Sequence, residues 1–158
     1  YTGLIKAAES EEEICGVLSH ELAHMELDHV MKKLVKEVGL SVLISISSGT
    51  GGSGTSREIV KMLSSSAYDR NLEKEADMKA VDYLVKAQIN PEPFANFLYR
   101  LASSDSNVNS GLSWISTHPD SKERAENIVQ KIKTEPVKYG PVLNPSTWEH
   151  LKQCMKDF

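Results

Sequence analysis

Ser10-Glu11-Glu12-Glu13-Ile14-Cys15-Gly16-Val17-Leu18-Ser19-His20-Glu21-Leu22-Ala23-His24 is the stretch on which the fold turns. Its first four residues have the S-x-x-E form of a capping box, in which a serine hydroxyl and a glutamate carboxylate satisfy unpaired amides at a helix start. The three acids also suit the positive end of the helix dipole. Beyond them Ile14, Val17, Leu18, Met25, Met31, Leu34, Val35 and Val38 recur at spacings of three, four and seven, and Gly39 supplies a C-terminal stop. The pattern predicts one long helix over 10–38.

His20 and His24 lie four apart on that helix, about 6 Å along its axis and about 40° around it, so both imidazoles lean toward one point. Imidazole nitrogens bind zinc at about 2.0–2.1 Å. Glu21 flanks the same point without filling it and is placed to take a proton from water that the ion has acidified. Chance would produce such an H-E-x-x-H in roughly one chain in a few hundred of this length.

Two histidines do not complete such a site, because zinc hydrolases use three protein ligands and keep one position open. The extended H-E-x-x-H-x-x-G-x-x-H form fails, since Leu27 and Val30 stand at its glycine and third-histidine positions. His29 falls about 140° around the helix from His24 and is expected at the surface, and Glu37 is about 20 Å away along the axis. The third ligand must come from another helix. The best candidate is Glu73 in Glu73-Lys74-Glu75-Ala76-Asp77. Asp77, one turn on, is placed to accept the second ring N–H of a ligand histidine. Glu75 sits about 200° from Glu73 and is expected to face solvent. Alone, E-x-x-x-D is an ordinary solvated acidic face, and its weight comes from following an H-E-x-x-H.

The rest of the chain bounds this reading. With 158 residues, 40% hydrophobic and 25% charged, it suits one packed domain spanning residues 1–158. A net charge of −4 offers no basic stripe for nucleic acid. Cys15 and Cys154 form neither a disulfide framework nor a metal-binding pair and read as free thiols. The apolar run 39–46 is too short to span a bilayer, which takes about 20 apolar residues. The opening Tyr1 to Ile5 reads as the tail of a strand, and the chain as a fragment lacking its natural N-terminus.

Residues 49–54 read as a glycine-rich loop, without the Gly-Lys-Ser/Thr ending of a phosphate-binding loop. Further helices are expected at about 57–65, 68–86, 91–101 and 119–133, a loop at 103–113, and a last short helix capped by Ser146-Thr147-Trp148-Glu149. Trp114, Trp148 and Tyr99 stand in apolar patterns and read as core or cap residues. Lys122, Lys131 and Lys133 read as a solvated helix face.

Three motifs in order, His20-Glu21-Leu22-Ala23-His24, Asn71-Leu72-Glu73-Lys74-Glu75-Ala76-Asp77 and Thr117-His118-Pro119 with Arg124 six residues after His118, resemble the HtpX-like and CAAX-prenyl-protease-like family of gluzincin metallopeptidases. Thr2-Gly3-Leu4 also resembles the segment before that family's zinc helix. The resemblance implies an α+β, mainly α, gluzincin-type domain with the zinc helix beneath a small sheet, part of which the chain would lack. It implies an endopeptidase that holds one Zn2+ per chain on His20, His24 and Glu73, with Glu21 as general base and acid. His118 and Arg124 would sit near the cleft and bind substrate or steady the oxyanion. From the residues alone, His118 reads equally as a loop histidine before a helix-starting proline, and Arg124 as a helix-surface ion pair. The resemblance further implies a protein or peptide substrate, a cell-envelope or periplasmic location like that of the soluble branch, and membrane association only through segments outside this chain. The rival reading is a zinc-binding chaperone or scaffold of the envelope that holds clients without cutting them.

Overall fold

The computed structural model describes residues 2–48, 70–103, 114, 118, 121–133 and 138–155, with side chains omitted at 2, 37, 40–48 and 121. The glycine-rich loop at 49–54, the helix expected at 57–65 and most of the loop at 103–113 lie outside these residues. The described residues form helices α1 (Thr2–Ala7), α2 (Glu11–Glu26), α3 (His29–Ser48), α4 (Arg70–Lys86), α5 (Glu92–Ala102), α6 (Ser121–Ile132) and α7 (Pro145–Cys154). No strand occurs among them. The molecule is mainly helical, as the periodicity predicts.

Two boundaries differ from expectation. The opening segment is not the tail of a strand. It forms α1, whose Leu4 and Ala7 pack on the core at helical spacing, and the Ala8 amide donates to the Leu4 carbonyl at 2.9 Å. The long helix is broken in two at Asp28, which has φ 52°. Aspartate tolerates this left-handed conformation better than most residues. The amides of Leu27 and Asp28 turn back onto the carbonyls of Ala23 and Met25 at 2.9 and 3.2 Å, closing α2 before α3 begins. Met25, Met31, Leu34, Val35 and Val38, which carry the apolar period across the break, are exposed, as are Leu18 and Leu22 before it.

The start of α2 is held twice. Ser10 Oγ accepts from the Glu13 amide, and Glu13 Oε2 accepts from the Glu9 amide at 2.8 Å. Arg100 of α5 grips the buried Glu13 carboxylate through both terminal nitrogens, at 2.6 and 2.7 Å. A bidentate charge-assisted pair fixes geometry as well as adding energy, so α2 is pinned at its N-terminus to α5. The last helix is capped by Asn144 rather than by Ser146, because Pro145 opens the first turn and the Asn144 side chain accepts from the Ser146 amide. Lys131 is not a solvated residue. It crosses from α6 to α4, where its ammonium donates to the Met78 carbonyl at 2.8 Å and meets the Asp82 carboxylate.

Val17, Ala80, Val81, Phe94, Ala95, Phe97, Leu98, Leu101, Ala125 and Ile128 form the core where α2, α4, α5 and α6 meet. Small residues let the backbones approach. A Cβ on Gly16 would lie 2.4 Å from Phe94 Cβ and 2.5 Å from Cγ, and Phe94 is fully buried. Gly16→Ala should therefore destabilise the fold by about 1–3 kcal/mol through overpacking, read as a lower urea midpoint. An unchanged midpoint would show that α2 and α5 separate freely.

Candidate metal centre

The buried face of α2 carries Gly16, Val17, His20 and Ala23, and that of α4 carries Glu73, Ala76, Asp77, Ala80, Val81 and Leu84. Glu13 is buried near the start of α2 as well, and farther along His20 of α2 meets Glu73 and Asp77 of α4. Arg124 of α6 closes them from behind. His20 and Asp77 are fully buried, and Glu73 and Arg124 are nearly so.

Four donors converge there. His20 Nε2 lies 2.9 Å from His24 Nε2, 3.2 Å from His118 Nδ1 and 3.4 Å from Glu73 Oε2. Glu73 Oε1 lies 3.2 Å from His24 Nε2, and Oε2 lies 2.9 Å from His118 Nδ1. His20, His24, Glu73 and His118 each offer a ligand atom, and these atoms all lie within 4.8 Å of one another. Four atoms set tetrahedrally about 2.0–2.1 Å from a centre would be roughly 3.3 Å apart. The donor set, three imidazoles and a carboxylate, therefore fits zinc in both chemistry and spacing.

Around the donors, His20 Nδ1 meets Asp77 Oδ1 at 2.9 Å. Arg124 Nε and Nη2 donate to the two Asp77 oxygens at 2.7 and 2.8 Å, and Nη1 lies 2.9 Å from Glu73 Oε2. Arg124 thus sits behind the carboxylates as a buried clamp, not as a helix-surface ion pair. Glu21 has its side chain 43% exposed, and its Oε1 accepts from Trp114 Nε1 at 2.6 Å and lies 3.3 Å from His118 Nε2.

Two neighbours escaped the sequence reading. Trp114 does pack against the core, but it also stacks on His118 at 4.7 Å between ring centroids, because the His118 amide bonds the Trp114 carbonyl. His29 is not a surface histidine. It is buried, with Nδ1 2.9 Å from His24 Nδ1 and Nε2 3.3 Å from Glu75 Oε2. The 140° offset holds only for an unbroken helix, and the turn at Asp28 resets it. No sequence signal marks this, since Asp28 is neither glycine nor proline. Glu75 is half exposed, as expected, but occupied by this contact.

A model of peptidase family M48 matches residues 1–132. The chain belongs to peptidase family M48. This M48 chain is similar to metalloprotease YcaL of Escherichia coli K12, 32% identical over 84% of the chain and 53% of the relative. It is similar to metalloprotease LoiP of the same organism, at 27% over 87% and 56%. It is also similar to mitochondrial metalloendopeptidase OMA1 of Schizosaccharomyces pombe, at 24% over 87% and 42%. The chain spans about half the length of the first two relatives. No solved structure matches the M48 chain at a significant level.

Charge in this M48 site is strongly coupled. The His118 bond holds Glu21 down at about 2 against the effect of burial, with Trp114 assisting. Burial opposes ionisation of Glu73 and Asp77. For Glu73 the bonds from His118, His20 and His24 outweigh it, and for Asp77 those from Arg124 and His20 do, leaving both well below the usual carboxylate range. Burial also opposes protonation of His118, but its contacts with Glu21 and Glu73 push it up to about 9. A histidine whose folded pKa is raised stabilises the fold fully below the unfolded value of about 6.5, and that stability is lost as pH rises through the folded value. In chelator, the melting temperature should accordingly fall by roughly 5 °C between pH 7 and pH 9. His118→Gln should flatten that slope, and equal slopes in the two proteins would contradict the His118 contacts.

Proposed function

We propose that the chain is the metal-bearing part of a zinc-dependent endopeptidase, organised as a single domain over residues 1–158. The observation that carries this reading is the meeting of His20 and His24 Nε2 with the buried Glu73 carboxylate, beside a Glu21 that remains open to solvent. His20, His24 and Glu73 would hold the ion. Bound there, zinc would supply a Lewis acid that polarises a carbonyl and acidifies water.

The chain's own groups supply the remainder. Glu21 takes the proton of the attacking water at its carboxylate and delivers it to the leaving amine. Trp114 Nε1 and His118 hold that carboxylate in place. His118, largely buried beside the more exposed Glu21, offers an N–H donor to developing negative charge on the substrate oxygen. Asp77 accepts from His20 Nδ1 and so keeps Nε2 unprotonated toward the ion. Arg124 acts from behind by fixing Asp77 and Glu73.

A second reading is favoured by one observation. His118 Nδ1 makes a fourth protein donor, and a structural zinc closes its fourth position with protein. That is the arrangement a non-cleaving chaperone or scaffold would have. The substrate is an unfolded protein or peptide in either case. We place the protein in the cell envelope or periplasm from the HtpX-like resemblance. Among the described residues no helix is long and apolar enough to cross a membrane.

Metal removal tests the proposal. The purified chain should carry one zinc, chelation should abolish cleavage of an unfolded protein substrate, and added Zn2+ should restore it. A chain without zinc, or cleavage indifferent to chelator, overturns the endopeptidase reading.

A further inference from the structure

We infer that His29, backed by Glu75, is a positioning residue for His24 and sets the affinity of the site for its metal. The inference rests on His24 being a ligand.

A histidine that binds metal through Nε2 carries its proton on Nδ1, and that N–H needs an acceptor to fix the tautomer and the ring plane. The Nε2 atoms of His20 and His24 face each other at 2.9 Å, so both Nδ1 atoms point away from the centre. Behind His20 the acceptor is Asp77. Among the described residues no carboxylate bonds His24 Nδ1. There the nearest partner is His29 Nδ1 at 2.9 Å, and its ring meets that of His24 edge-on, with centroids 4.8 Å apart. Two Nδ1 atoms at that separation share one proton. With His24 donating, His29 accepts on Nδ1 and carries its own proton on Nε2, which then donates to Glu75 Oε2 at 3.3 Å. Every proton in the chain His24–His29–Glu75 has a place, and the lone pair of His24 Nε2 is left for the ion.

The local fold is built for this contact. His29 is 2% exposed although its neighbours Asp28, Val30 and Met31 are exposed. The left-handed Asp28 turns α3 so that its first residue folds back over His24. Helix α4 thus supports both histidines, His20 directly through Asp77 and His24 through His29 and Glu75.

The test is zinc affinity by competition with a chelating indicator, together with long-range 1H–15N correlation of the zinc-loaded protein to read the His24 tautomer. Removal of a group that orients a metal-bound histidine weakens binding by about 10–100-fold, and His29→Ala should do so. His29→Asn, whose Oδ1 takes the place of Nδ1 as acceptor, should restore affinity to within about threefold of wild type. Glu75→Gln should lie close to wild type and Glu75→Ala between the two. His24 should show its proton on Nδ1 in wild type and in His29→Asn. Equal loss in His29→Ala and His29→Asn, or an unchanged affinity in His29→Ala, overturns the inference while leaving the ligand set intact, whereas a His24 protonated on Nε2 overturns both the inference and ligation through that atom. Wild-type protein that binds zinc no better than Glu73→Ala overturns the ligand set itself, and the inference with it.

Discussion

Glu21→Gln should retain its zinc and lose hydrolysis. The amide is close to isosteric with the carboxylate, and its oxygen can still accept from Trp114 Nε1, which lies 2.6 Å from Glu21 Oε1. Glu21 is not one of the four converging donors, so metal content should stay near one per chain. The amide cannot take a proton from water. General-base assistance contributes about 10²–10⁴-fold, and turnover should fall by at least that much with little change in KM, since the side chain sits beside the reacting atoms and not along the substrate. Elemental analysis and cleavage of an unfolded protein, run side by side, give the answer. Unchanged cleavage would remove Glu21 from the chemistry, and unchanged client protection by a protein that never cleaves would favour the scaffold.

Glu73→Ala should lose the metal, whereas Glu75→Ala should keep it at saturating zinc. The two acids are two residues apart on α4, yet one is 2% exposed against both imidazoles and the other is half exposed and touches His29 and Lys32. Removing Glu73 deletes one of three proposed ligands and leaves the buried Arg124 without one of its two carboxylates. The loss of affinity should exceed the roughly 100-fold upper range seen for groups behind a ligand, and breaking a buried ion pair should also lower stability by about 3–5 kcal/mol. Comparable zinc retention by both variants would contradict the choice of third ligand.

Much of this was legible in sequence because it depends on periodicity and short-range geometry. The S-x-x-E cap, the i, i+4 histidines, the adjacent Glu21 and the i, i+4 pair of Glu73 and Asp77 are all properties of single helices, and the helical period is local. Family motifs extended that reach to His118 and Arg124, which do lie beside the other site residues. The failures share one cause. A left-handed aspartate at position 28 changes the direction of everything after it, and nothing at Asp28 distinguishes it from the charged positions of a continuing helix. His29 was therefore assigned to the wrong face, and the apolar period from Met25 to Val38 to one unbroken helix.

By itself the chain's order of residues determined that there would be mostly helices, where one of them would be capped, and which side chains of each helix would share a face. Tertiary packing alone decided that the polar patches of α2 and α4 coincide, that Arg124 closes them from behind, and that Trp114 and His29 stand at the site. The reason is one of range. A helix face follows from spacing along one segment, whereas the meeting of two faces depends on how closely Gly16, Ala76 and Ala80 let backbones approach, and on a turn whose sign is settled only when its buried contacts form.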